Sequence, residues 1–120
     1  MSKSLNTIMN DIYTLMDQLE AKVKHIISQH PELETYTFSL EFMKPQNILY
    51  KEVIDDYLRS SNDYSTKNLE RLERILQRRY NRIYRTYQCL DKENIEKGID
   101  IITDLYNKII ADFVFQKMKG

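Results

Sequence analysis

The chain contains only two glycines, two prolines, one cysteine and no tryptophan in 120 residues. So few helix breakers imply long helices joined by short connections. A single cysteine, Cys89, excludes an internal disulfide and fits a reducing, cytoplasmic setting. There is no apolar run of about 18 residues, so no membrane span is expected. The opening residues, Met1 to Leu5, lead into an amphipathic pattern rather than the unbroken apolar stretch of a secretory signal. Neither sign of charge dominates: 18 basic side chains balance 18 acidic ones. A bulk attraction to nucleic acid or anionic lipid is thereby excluded. No glycine-rich phosphate loop or nucleophile elbow occurs.

What is present is one domain's length of amphipathic helix, residues 1–120. From about Ser4 to Gln29, apolar residues from Leu5 through Ile12, Leu19 and Ile27 recur at steps of three and four. Pro31 stops that helix, because the residue before a proline avoids the helical region. Over residues 32–44 the beat changes. Tyr36, Phe38, Leu40 and Phe42 alternate at strand spacing, but a lone strand has no partner here. This stretch reads as an aromatic-rich connection, either extended or an irregular helical turn, whose rings pack over the bundle. Pro45 then opens a second helix running to about Arg59 and burying Ile48, Leu49, Val53, Ile54, Tyr57 and Leu58. After the turn residues Ser60–Asp63, Ser65 or Thr66 caps a third helix reaching about Cys89. Asp91 caps a fourth, with Ile95, Ile99, Ile102, Tyr106, Ile109 and Phe113 as its buried stripe. The expected fold is all-α: an antiparallel four-helix bundle.

The stretch YTFSLEFMKP (36–45), the segment YSTKNLERLERIL from Tyr64, the RIYRTY of residues 82–87 and the helix KENIEKGIDIITDLYNKI resemble the YppE-like proteins of Bacillus-type bacteria. The resemblance covers about residues 36–113 and consists mostly of apolar and aromatic positions with one Lys-Pro. It implies a small cytoplasmic helical bundle from a family of unknown function without an established catalytic motif. No functional residue is carried over from it.

The third helix stands out. Six of the seven arginines lie between residues 71 and 85, and the segment 67–90 carries net charge +5 against −4 for residues 1–66. Arg71, Arg74, Arg78, Arg82 and Arg85 recur at helical steps. At about 100° per residue they centre roughly 180° from Leu69, whose side holds Leu72, Leu76, Tyr80, Ile83, Tyr87 and Leu90. The arginines are therefore expected to face solvent as a ridge about 21 Å long. A guanidinium fork suits carboxylate and phosphate alike. The simplest reading is a purely solvated face with local salt bridges; if the ridge binds, an acidic protein surface is the expected partner, ahead of nucleic acid.

Other constellations point to no chemistry. Glu93, Glu96, Asp100 and Asp104 lie on the outer face of the fourth helix, where nothing excludes water. His25 and His30 are five apart and separated from any ligating cysteine, a poor geometry for metal. Cys89 reads as a spectator thiol. No catalytic residue, metal or cofactor is expected, and the chain reads as a non-enzymatic interaction module.

Overall fold

The computed structural model describes residues 4–119 and contains four long helices joined by single 3-10 turns. They are α1 (Leu5–Gln29), α2 (Thr35–Arg59), α3 (Thr66–Cys89) and α4 (Ile95–Met118). The chain is an all-α four-helix bundle in which successive helices reverse direction. Local chemistry explains the ends. The Ser4 hydroxyl accepts from the Thr7 amide and the Ser65 hydroxyl from the Asn68 amide, each satisfying one orphan donor of a first turn. Asp91 and Asn94 form a reciprocal capping box, but on a 3-10 turn (Lys92–Asn94), so α4 proper begins at Ile95.

The expected stripes of α1, α3 and α4 are the core. Leu72, Leu76, Ile83, Ile102, Tyr106 and Ile109 are all buried, as are Ile8, Ile12, Leu19, Val23 and Phe113. The segment 32–44 overturns the expectation of an extended or irregular connection. Apart from the 3-10 turn Pro31–Leu33, it belongs to α2, and Pro45 lies inside that helix instead of opening it. The physical reason is an overlay of two helical stripes. Tyr36, Leu40, Met43, Asn47 and Ile54 recur at helical steps toward the bundle, whereas Phe38, Phe42, Leu49 and Val53 recur on the opposite face. Interleaved over residues 36–42, the two stripes imitate the alternation of a strand.

The burial expected along the second helix is met only in part. Ile48, Leu49 and Val53 are exposed, and Phe38 and Phe42 do not cover the bundle. Only Leu40 and Ile54 of α2 are fully buried. Tyr57 and Leu58 are half-buried against the core.

Pro45 cannot donate to the Glu41 carbonyl, and its ring crowds the preceding turn. Because it is exposed, Pro45→Ala is expected to raise stability by about 1–3 kcal/mol. Urea denaturation followed by circular dichroism measures this. An unchanged or lowered stability would mean that the proline's local geometry seats Leu40 and Ile54.

The neighbour order places α2 and α3 apart. α2 packs chiefly on α4, α1 on α3, and α3 on α4, while α1 meets α4 across the short diagonal. The molecule is a slab of 49 × 28 × 19 Å with α2 along one long edge and α3 along the other. Gly98 lies at the α1–α4 crossing. A Cβ there would stand 3.0 Å from Leu90 Cδ1 and 3.1 Å from Val23 Cγ2, so the missing side chain permits the close approach.

Polar contacts tie both ends. At one, Lys92 pairs with Glu32 at 2.7 Å and the Tyr36 hydroxyl donates to Glu96 at 2.6 Å. The Lys92 hydrogen bond holds the Glu32 carboxyl below its ordinary range. At the other, Tyr64 donates to the Phe113 carbonyl at 3.0 Å, and burial pushes its phenol up to about 12. Midway, Asn47 donates to the Ile102 carbonyl at 2.9 Å.

Candidate functional arginine ridge

Amphipathicity orients α3. With Leu72, Leu76 and Ile83 fully buried, the opposite face must look outward. Arg74, Arg78, Arg82 and Arg85 are exposed there, and Arg71 is half-buried at the N-terminal end of the row. None of the five forms an ion pair among the described residues. The Glu70–Arg74 pair that the spacing permits is not made. Among the described residues, the one polar contact along the row is Arg85 Nε, which donates to the Asn81 carbonyl at 3.5 Å. Arg74, Arg78 and Arg82 thus keep their guanidinium donors without a protein acceptor among the described residues, and Arg85 keeps its two Nη groups so.

Arg79, which breaks the row's spacing, behaves differently. It reaches α4 and holds Asp112 in a bidentate pair, with Nη2 to Oδ1 at 2.9 Å and a second contact from Nε to Oδ2. Both side chains are mostly buried. The sequence signal for this division was present: Arg79 sits one residue off the outward stripe, toward the neighbouring helix.

The tyrosines divide likewise. Tyr80 and Tyr84 stack with ring centroids 6.2 Å apart, and Tyr84 is exposed beside the ridge. Tyr87 is occupied by Lys22, whose Nζ sits 4.8 Å from the ring centroid and donates to the Tyr87 carbonyl at 2.6 Å. Of Tyr80, Tyr84 and Tyr87, Tyr84 alone is exposed, at the border of the apolar face and not within the arginine row.

Between α3 and α4 a hollow of about 400 Å³ adjoins the ridge, lined in part by Arg82, Thr86, Lys97, Asp100 and Lys108. Lys108 already pairs with Asp104 at 2.9 Å. Arg82 and Lys97 form no ion pair among the described residues and give the hollow the chemistry to receive a carboxylate or phosphate.

The remaining candidates stay dispersed. Glu93, Glu96 and Asp100 are exposed and Asp104 is half-exposed. His30 approaches Glu32 at 3.7 Å, and His25 is exposed. Cys89 is exposed at the end of α3. No group of three or more His, Cys, Asp or Glu side chains able to hold a metal occurs among the described residues. No described helix is long and apolar enough to cross a membrane. Comparison with protein-family models, curated proteins and solved structures gives no match.

Proposed function

We propose that this protein is a non-enzymatic cytoplasmic interaction module whose α3 ridge docks an acidic segment of a partner protein. The observation that carries the reading is the row Arg74, Arg78, Arg82 and Arg85, exposed and without internal carboxylate partners among the described residues. Unpaired guanidinium groups retain their full capacity for bidentate carboxylate binding. An acidic protein is favoured over a long polyanion because the net charge is zero and because Glu70, Glu73 and Asp100 stand close to the row in sequence or in space. The YppE-like resemblance of residues 36–113 agrees with a bundle that lacks catalytic machinery.

The test is the triple variant in which Arg78, Arg82 and Arg85 become glutamine. Its stability is expected to stay within about 1 kcal/mol of the wild type, since exposed charges contribute little. Binding of an oligoglutamate peptide should be lost. Gel shifts with single-stranded RNA, single-stranded DNA and duplex should show no micromolar complex with the wild type. A nucleic-acid complex lost in the triple variant would reassign the ridge. Five phosphate contacts would then give a log–log salt slope of about −4 on duplex DNA. A stability loss above about 3 kcal/mol would mean that the arginines are structural.

A further inference from the structure

The opposite edge of the slab carries a second surface. Phe38, Phe42, Leu49 and Val53 project from α2 directly away from Leu40 and Ile54, and the first three are 76%, 63% and 59% exposed. Phe38 and Phe42 stack at 6.4 Å. The stripe runs about 22 Å along the helix. Monomeric soluble proteins rarely leave so continuous an apolar strip uncovered.

Carboxylates border it on both sides. On the flank toward α1 lie the exposed Glu41 and Glu52, about 80–100° around the helix from Phe42. On the flank toward α4 a hollow of about 460 Å³ opens, with Phe38, Phe42, Met43 and Ile99 as apolar lining and Glu96 and Asp100 as its acidic part. Glu41, Glu52 and Asp100 form no ion pair among the described residues, and Glu96 receives the Tyr36 hydroxyl.

We propose that this edge docks a cationic amphipathic helix from another protein. Its apolar side chains, spaced i, i+4, i+7 and i+11, would cover the Phe38–Val53 stripe, and Lys or Arg on both flanks would meet Glu41 and Glu52 on one side and Glu96 and Asp100 on the other. Charge and polarity select this occupant over three others. A second copy paired antiparallel through α2 would bring Phe42 onto Leu49 but also Glu41 toward Glu52, like charge against like. The arginine ridge of a second copy offers cations, but its interspersed residues Gln77, Asn81 and Gln88 are polar and would leave the phenylalanines uncovered. An anionic membrane surface is repelled by the same carboxylates.

The test uses the intact protein and two designed helical peptides, each about 18 residues long to span the stripe. They share leucine at the four apolar positions and differ only in flank charge, lysine in one and glutamate in the other. Fluorescence anisotropy is expected to show the lysine peptide binding at least about tenfold tighter. The double variant Phe38→Ser, Phe42→Ser should lose about tenfold in that affinity. The variant Glu96→Gln, Asp100→Asn should narrow the difference between the two peptides. All four positions are exposed, so circular dichroism should show the fold retained. The ridge variant, with Arg78, Arg82 and Arg85 as glutamine, should bind the lysine peptide as the wild type does, which separates this surface from the α3 ridge. Equal affinity for both peptides, or no binding of either, would overturn the proposal. So would wild-type sedimentation as a dimer that the serine variant dissolves, which would give the stripe to a second copy. Flotation with phosphatidylserine vesicles would give it to lipid and equally overturn the assignment.

Discussion

Phe113→Ala is expected to cost about 3–5 kcal/mol of folding stability, among the largest losses of any single truncation in this chain. Phe113 is fully buried on α4. Its ring stacks on Tyr57 of α2 with centroids 5.5 Å apart and meets the edge of Tyr64, at the entry to α3, at 6.5 Å. One side chain therefore joins three helices at the end of the slab where α2 leads into α3. Truncation removes apolar contact and opens a cavity that aromatic neighbours, restricted to few rotamers, collapse into poorly. It also leaves the Tyr64 hydroxyl donating to a backbone carbonyl whose surroundings have lost their packing. Urea unfolding followed at 222 nm measures the loss, where 222 nm is roughly the far-ultraviolet band that reports helix content. A cost below about 1.5 kcal/mol would show that Tyr57 and Tyr64 close over the gap and that the aromatic cluster is not what fastens α2 to α4.

Leu76→Ala is expected to cost about 2–5 kcal/mol. On α3 full burial of apolar side chains is confined to Leu72, Leu76 and Ile83, so each carries a large part of that helix's attachment. Two residues on, Arg78 faces solvent, and its replacement by glutamine should leave stability nearly unchanged. The contrast between adjacent turns of one helix tests the orientation of the ridge directly. A loss below about 1 kcal/mol at Leu76, together with a large one at Arg78, would mean that α3 is rotated and the arginines face inward.

The apolar periodicity of α1, α3 and α4 carried those helices, their buried stripes and the outward direction of the arginines. Each has one apolar face, and a helix with one apolar face has one way to bury it. The cap of α3 at Ser65, one of the two residues expected there, and the stop before Pro31 were legible from local rules: first-turn amides need a side-chain acceptor, and the residue before a proline avoids the helical region. The second part of α2, from Pro45 to Arg59, was legible as helix, but its first part and its buried face were not, because α2 has two apolar faces. Where the stripe of Tyr36 and Leu40 interleaves with that of Phe38 and Phe42, helical periodicity is hidden within the residues that carry it. Pro45, a helix opener by local preference, was overridden by burial of Leu40 and Ile54 on either side.

Thus the sequence by itself determined four helical segments' worth of amphipathic chain, three of their faces and the exposed arginine row. Periodicity states which way a side chain points from its own helix but not which helix lies opposite. Only the tertiary structure decided that α2 and α3 occupy opposite edges, that Arg79 belongs to Asp112 while its neighbours remain unpaired, and that the phenylalanines of α2 face outward between two rows of carboxylates. Those outcomes depend on how four faces share one core. α1 and α4, with the broadest buried stripes, meet across its centre, and α2 is left at the margin with its second apolar face uncovered.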